Sequence, residues 1–191
     1  LAACGRTPSH VIELHPGRLG QRIHGAPVVP PEALRELRGT PLILLLAGVQ
    51  DPGNVGALLR TAEALGATGA AACPAGGIGT ANPFSPKALR ASAGAALRLP
   101  VLRGVATPIL LAQLRVAGVR VYAASPDAPD AIAPWDADWR APSALLIGNE
   151  GAGLPPDLVR SADATVRIPQ TPTETAAGMD SLNAAVAGSI L

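Results

Sequence analysis

Three apolar runs in this sequence each lead into a polar loop that precedes a helical segment, and this pattern constrains the fold most. Leu42–Ala47 precedes Asp51-Pro52-Gly53-Asn54, 144–147 precedes Gly148-Asn149-Glu150-Gly151, and Ile168-Pro169 precedes a polar stretch that ends in Ser181-Leu182-Asn183. Loops of this kind form sites at the carboxyl ends of parallel strands in α/β proteins. The sequence therefore predicts a site at that edge of a sheet.

Strand-like and helical patterns alternate along the chain. Further strands are predicted at Gly69–Cys73, 99–102, 119–123 and 165–168, and helices at 32–38, 86–95, 107–117, 155–161 and 184–191. This alternation predicts an α/β fold with a mostly parallel sheet flanked by helices. In the helix after Asn54, the residues of one predicted apolar face are Val55, Leu58, Leu59, Ala62 and Leu65, and Gly66 marks the end of the helix.

The 191 residues are enough for one substantial domain and a short appendage. Residues 1–31 hold five prolines, so we expect 1–39 to be an N-terminal arm or domain remnant and 40–191 to be the domain. The three histidines of the arm have no accompanying Cys or carboxylate pattern, and we expect no metal. The chain begins at Leu1 and ends inside a predicted helix, so we expect truncation, including at the C-terminal end.

Charge is unevenly distributed along the chain. Residues 1–120 hold twelve Lys and Arg against five Asp and Glu, whereas 121–191 hold three against nine. A basic first half suits a surface that faces RNA, and a solvated charge distribution without a partner explains it almost as well. Aromatic residues make up 2% of the chain, which argues against base stacking as the main binding mode.

Cysteine content and hydropathy indicate the compartment. Cys4 and Cys73 do not have metal-ligand spacing and make no disulfide framework. The sequence has no apolar run of about 18 residues that could span a bilayer. We therefore expect a soluble protein in the reducing cytoplasm, with no membrane partner.

The first polar junction places an amide and a guanidinium on one helix. On a helical wheel, Arg60 and Gly56 lie together opposite the apolar face, while Asn54 stands at the helix start. A substrate backbone could lie against Gly56 while Arg60 reaches its phosphate or hydroxyl. A capped helix with an ordinary surface arginine is an equally good interpretation.

The second junction, Gly148-Asn149-Glu150-Gly151, is rich in glycine but lacks the G-x-G-x-x-G spacing. Glu150 would stand where a pyrophosphate would bind, so like charge disfavours a dinucleotide. S-adenosylmethionine carries a sulfonium and no phosphate, and it is the more compatible nucleoside cofactor. The alternative is a tight turn before a helix.

The third junction, Ser181-Leu182-Asn183, offers a hydroxyl and an amide at a helix start. A simple Ser cap accounts for Ser181 but leaves Asn183 unexplained. A separate loop, 76–80, is glycine-rich and could suggest a phosphate-binding enzyme. No Lys follows its glycines, so a plain connection is favoured.

These three junctions, with the stretch 87–95, resemble the motifs of the SpoU/TrmH-type RNA 2′-O-ribose methyltransferases of the SPOUT superfamily. The resemblance covers about residues 40–191. It implies a C-terminal trefoil knot, a homodimer, S-adenosyl-L-methionine as cofactor, and methylation of a ribose 2′-hydroxyl in ribosomal or transfer RNA. The arm would then be what remains of an N-terminal RNA-binding domain.

The resemblance also implies roles for individual residues. The catalytic surface would comprise Asn54, Arg60, Glu150, Ser181 and Asn183. The cofactor would be held by Ala124, Gly148, Ile168 and Leu182. Arg60 would fix a phosphate and stabilise the developing alkoxide, because a guanidinium with a pKa above about 12 rarely acts as a base.

Some features leave the function open. The stretch 170–180 is longer than in compact members of the family, so the cofactor loop could differ in shape. A catalytically silent, dimeric RNA-binding module of the same fold is the alternative function. Trp135 and Trp139 are expected to pack against the body or a dimer partner, and the sequence does not identify the RNA.

Overall fold

The computed structural model describes residues 40–170 and 182–191. Six strands in this part form one sheet with the order β3-β2-β1-β5-β4-β6, and all five pairings between them are parallel. The strands are β1 (Leu42–Ala47), β2 (Gly69–Cys73), β3 (Val101–Arg103), β4 (Arg120–Ala124), β5 (Ser143–Ile147) and β6 (Ala164–Val166). The predicted α/β class and the predicted bounds of β1 and β2 are confirmed.

Helices follow the strands and cover both faces of the sheet. They are α1 (Pro52–Ala64), α2 (Pro86–Ala91), α3 (Ala95–Arg98), α4 (Thr107–Val116), α5 (Pro156–Ser161) and α6 (Ala184–Ile190), with a 3₁₀ turn at Pro134–Asp136. Proline lies in the first turn of α1, α2, α4 and α5, where no intrahelical hydrogen bond is lost. The oxygens of Asp51 and Ser85 cap α1 and α2.

Small aliphatic side chains form an apolar layer on each face of the sheet. On one face Leu46 and Ile147 pack with Val55, Leu58 and the other apolar residues of α1. The opposite layer contains the alternate strand residues together with α4 and α5. Central parallel strands are buried on both faces, which explains why β1, β2 and β5 read as continuous apolar runs.

Two details of α1 differ from the sequence-based expectation. Leu65 belongs to the predicted apolar face, yet it is 69% exposed because the helix ends at Ala64. Gly56 is buried and packs against α2, where an added Cβ would lie 2.5 Å from the Ala88 carbonyl oxygen. The expectation that a substrate backbone lies against Gly56 is therefore wrong, since a neighbouring helix occupies that place.

The predicted helix 86–95 is interrupted after α2. Ala93 has φ 49° and Gly94 has φ 81°, so the chain passes through left-handed conformations before α3 begins. Trp139 packs on Tyr122, with ring centroids 4.6 Å apart, as expected for packing against the body. Trp135 is 72% exposed.

Several expectations lie outside the described residues. These are the arm 1–39 with its predicted helix 32–38 and histidines, Ser181, and most of the stretch 170–180. Across the described ranges 40–170 and 182–191, no helix is both long and apolar enough to cross a bilayer.

Candidate active site

The order of the strands reverses at β1, which pairs with β2 on one side and with β5 on the other. Leu46 pairs with Ile147 at the carboxyl ends of β1 and β5, and the loops that follow these strands meet there. Such a switch point opens a crevice at the edge of a parallel sheet, where α/β proteins bind ligands. The first and second predicted polar junctions meet at this point.

Glu150 joins the two loops through both of its carboxylate oxygens. Oε2 accepts a hydrogen bond from the Gln50 amide at 3.0 Å, and Oε1 accepts bonds from the Asp51 amide and from Asn54 Nδ2, each at 3.0 Å. The carboxylate thus faces amide donors at the start of α1. It fixes the position of Asn54, and the glycine-rich turn alone does not account for this arrangement.

Backbone packing in the β5–α5 loop positions Glu150. An added Cβ on Gly148 would lie 2.5 Å from the carbonyl carbon of Gly153, so only glycine fits there. Asn149 Oδ1 accepts bonds from the Gly151 and Ala152 amides at 2.9 Å, and its Nδ2 donates to the Gly48 carbonyl at 2.9 Å. Sequence reasoning gave Asn149 no role of its own; an Asn beside glycines in a turn was the available signal.

Asn183 connects helix α6 to the same group. Its Nδ2 donates to Asn54 Oδ1 at 3.2 Å, while its Oδ1 caps α6 by accepting bonds from the Ala185 and Val186 amides. Asn54 therefore lies between Glu150 and Asn183, with its donor toward one and its acceptor toward the other. Asn183 is the N-cap of the helix, while Ser181 lies outside the described residues.

Helix α6 is held against α1 by a close approach. An added Cβ on Gly188 would lie 2.4 Å from side-chain atoms of both Leu58 and Ile147. The hydroxyls of Thr61 and Ser189 are 3.0 Å apart across the same contact. This packing sets the position of Asn183 relative to Asn54.

Arg60 lies two turns along α1 from the site and is exposed. Within residues 40–170 and 182–191 its guanidinium makes no hydrogen bond or ion pair to another side chain. Its donors can therefore be used for a ligand. Arg60 remains apart from the Glu150–Asn54–Asn183 group within the described chain.

Hydrogen bonding keeps the Glu150 carboxylate charged. Burial raises the pKa of Glu150, but bonds from the Gln50 amide, the Asn54 side chain and the Asp51 amide together outweigh burial and leave the pKa below its ordinary value. A nearby ion pair likewise lowers the pKa of a second carboxylate, that of Asp51. The Lys87 ammonium, 2.5 Å from Asp51 Oδ1, is the main cause of the lowered pKa of Asp51. Sequence reasoning missed this pair because 36 residues separate its members.

The residues expected to hold a cofactor lie on the other side of β1. Ala124 ends β4, Gly148 follows β5 and Ile168 follows β6, so three adjacent parallel strands bring them to one edge. Leu182 precedes α6 and is half-buried. Small and apolar side chains suit a neutral nucleoside, and the Glu150 carboxylate is directed away toward α1. The set fits an adenosine-containing cofactor.

The glycine-rich loop 76–80 is a tight turn. Ala75 and Ile78 exchange two backbone hydrogen bonds of 2.8 Å, and Gly76 and Gly77 take positive φ. This geometry agrees with the favoured interpretation as a connection.

Comparison with known proteins gives consistent matches. Residues 41–191 match the model of the SpoU rRNA Methylase family. The chain is 35% identical over 173 residues to the 23S rRNA (guanosine(2553)-2′-O)-methyltransferase RlmP of Bacillus subtilis, covering 90% of this chain and 63% of that protein. It is 32% identical over 159 residues to the 23S rRNA (guanosine-2′-O-)-methyltransferase RlmB of Ralstonia nicotianae, covering 83% and 59%. The chain thus spans about three fifths of the length of these two relatives.

A solved structure has the same fold. The crystal structure of an AdoMet-bound rRNA methyltransferase from Sinorhizobium meliloti superposes with a TM-score of 0.71 at 35% identity. The match covers 85% of this chain and 58% of that one.

Proposed function

Because the chain belongs to the SpoU rRNA Methylase family, we propose that it serves to transfer the methyl group of S-adenosyl-L-methionine to a ribose 2′-hydroxyl in ribosomal or transfer RNA. The ribose oxygen forms a bond to the methyl carbon, the carbon–sulfur bond breaks, and the hydroxyl proton leaves to solvent. The observation that carries the proposal is the Glu150–Asn54–Asn183 group at the strand switch point.

In this proposal the cofactor is held by main-chain groups at Gly148, Ile168 and Leu182, with Ala124 as a wall. Bound there, it supplies an electrophilic methyl group. The chain contributes a neutral edge for the nucleoside and excludes water with Ile168 and Leu182. The position of Ala124 beside Val166 in the register of β4 and β6 supports this arrangement.

Asn54, Arg60, Glu150, Ser181 and Asn183 form the proposed catalytic surface. Glu150 fixes Asn54, and Asn183 fixes its amide orientation, so both would act on alignment of the ribose. Arg60 would bind the neighbouring phosphate and stabilise the developing alkoxide with its planar donors. Its exposure supports a contact with RNA.

We also propose the C-terminal trefoil knot. Strand β6 lies at one edge of the sheet, beyond β4 and β5, whereas α6 packs on α1 and Ile147 near the middle. The chain is therefore at the outer strand of the sheet before residue 170 and back near the middle of the sheet after residue 182. A return of this kind supports threading, which general topology rules make rare.

A homodimer and a cytoplasmic location belong to the same proposal. Helix α6 exposes Val186 and Ile190 by 50% and 52%, which supports an apolar contact with a second copy. In such a dimer, Arg60 would reach RNA that is methylated at the cofactor of the partner subunit. Residues 1–39 would add RNA contacts as an arm, and 40–191 would be the methyltransferase domain.

The test is transfer of labelled methyl from S-adenosylmethionine to total RNA of cells that lack the gene, followed by digestion to nucleosides. We expect label in 2′-O-methylribose. Label in a base would overturn the ribose assignment. If the protein transfers nothing and does not bind the cofactor, the silent RNA-binding module is the better description; no transfer with intact cofactor binding would point to a missing RNA or partner.

A further inference from the structure

A cavity of about 240 Å³ opens at the carboxyl ends of β2 and β3, on the side of β1 away from the proposed cofactor strands. Its polar lining comes from Thr80, Asn82 and Arg103, with the backbone of Gly79 and Gly104 beside them. None of the lining residues is acidic. The proposed transfer reaction assigns no task to this cavity.

The polar groups of the cavity are mostly hydrogen-bond donors. Arg103 Nη1 donates to Asn82 Oδ1 at 2.6 Å, and the guanidinium lies 5.7 Å from the centre of the Phe84 ring. Asn82 Oδ1 also accepts a bond from the Phe84 amide at 3.0 Å. Within the described residues, the Asn82 amide nitrogen and the other Arg103 N–H groups make no side-chain contact beyond these. A guanidinium that is held by a hydrogen bond, has further donors available and has no carboxylate among the lining residues of its cavity suits a phosphate.

Thr80 connects the cavity to the candidate active site. Its hydroxyl accepts a bond from the Gly48 amide at 2.8 Å and lies within donating distance of the carbonyls of Leu46 and Cys73. Gly48 is also held by Asn149, which shapes the Glu150 loop. Thr80 of the cavity lining and Asn149 of the Glu150 loop therefore both hydrogen-bond to Gly48.

The spacing between strands of the sheet gives the distance from the cavity to the carboxyl end of β1, where the candidate active site lies. Adjacent strands lie about 4.8 Å apart, so the ends of β2 and β3 are about 5 and 10 Å from the end of β1. A nucleic-acid strand advances about 3.4 Å per stacked nucleotide. One to three nucleotides cover that distance.

Resting on the proposed function, we propose that this cavity binds a backbone phosphate of the substrate RNA, one to three nucleotides from the methylated ribose. Arg103 provides the charge and the planar donors, and the Asn82 amide provides a further donor. The cofactor and the flanking phosphate then lie on opposite sides of the Glu150–Asn54 group, with the target ribose between them.

Two variants of the 191-residue chain test the cavity. Arg103→Gln removes the charge, and Asn82→Asp keeps the Oδ1 acceptor used by Arg103 and Phe84 while placing an anion where the free donor stood. The probe is a labelled, mixed-sequence single-stranded RNA of twelve nucleotides, with affinity measured over a range of salt concentrations. The matched control is Arg140→Gln, whose side chain is 97% exposed near the amino end of β5.

We expect about tenfold weaker RNA binding at low salt for both cavity variants, with the control unchanged. For Arg103→Gln, the slope of log affinity against log salt should fall by about 0.7, the value for one phosphate contact on a single strand. Cofactor affinity and the thermal unfolding midpoint should stay as in the unmodified protein, which separates binding from misfolding.

The outcomes separate this proposal from the proposed function. An unchanged slope and unchanged affinity in both cavity variants would overturn the phosphate site, even if the unmodified protein methylates RNA. If the unmodified protein transfers no methyl group while the slope still falls, the phosphate site stands and the transfer reaction fails. If the cavity variants and Arg140→Gln lose RNA affinity equally, that result would also count against a specific site.

Discussion

The side-chain amide nitrogen of Asn54 lies 3.0 Å from the carboxylate of Glu150, and this bond joins two loops that are 96 residues apart in the chain. Both loops follow central strands of the sheet, so the bond closes the switch point between β1 and β5. It also determines which end of the Asn54 amide faces Asn183. Alignment of these three side chains is therefore a property of the fold.

Glu150→Gln should lower both stability and methyl transfer. A glutamine offers one acceptor oxygen where three donors now converge on a charged carboxylate, so at least one donor loses its partner. The expected loss is about 1 kcal/mol in the free energy of unfolding, measured by urea denaturation. Asp157→Asn, an exposed change in the first turn of α5, serves as the control. Equal stability of Glu150→Gln and the unmodified protein would show that neither the charge nor the lost hydrogen bond contributes to stability.

The stability difference between the unmodified protein and Glu150→Gln should depend on pH. The folded pKa of Glu150 is lowered from its ordinary value of 4.5, so its contribution is present above about that pH and is lost as pH falls through the folded pKa. Asp51, whose pKa is also lowered, is common to both proteins and cancels in the difference. Denaturation curves from pH 7 down to pH 3 measure this, and a difference that grew on acidification would contradict the assignment.

Asn183→Ser separates the cap of α6 from the contact with Asn54. Serine caps helices about as well as asparagine, so stability should change by only a few tenths of a kcal/mol. The bond from Asn183 Nδ2 to Asn54 Oδ1 is lost, so methyl transfer should fall. Asn183→Ala removes both functions, and it should cost about a further 1 kcal/mol in a thermal or urea measurement. Full transfer activity in Asn183→Ser would exclude a positioning role for that bond.

Gly56→Ala should destabilise the protein although alanine favours helices. The propensity gain is about 1 kcal/mol. The new Cβ would lie 2.5 Å from the Ala88 carbonyl oxygen and 2.6 Å from the Ala91 Cβ, so α1 and α2 must separate, at a cost of about 1–3 kcal/mol or more for such overpacking. We expect a net loss by urea denaturation. Gly79→Ala is the control, since a Cβ there meets no atom within 4 Å. A more stable Gly56→Ala protein would mean that the two helices move apart easily.

The sequence predicted the parts of the fold that depend on local pattern. The bounds of β1 and β2 and the α/β class follow from apolar runs and their alternation with helices. Gly56 shows where this reasoning stops, because a helical wheel gives the direction of a position and not the element that covers it. The ion pair Lys87–Asp51 and the cavity at Arg103 arise from contacts between distant segments, which periodicity does not encode.

Arg60→Lys tests whether the proposed arginine role needs the planar guanidinium or only its charge. Arg60 is exposed and makes no ion pair with the other described residues, so the substitution should leave the unfolding midpoint unchanged. Lysine keeps the charge but loses the paired donors, and we expect methyl transfer at saturating RNA to fall about a hundredfold. Arg140→Lys, near the amino end of β5, should have no effect. Retention of most of the activity in Arg60→Lys would show that charge alone suffices, and retention in Arg60→Ala would remove Arg60 from the catalytic surface.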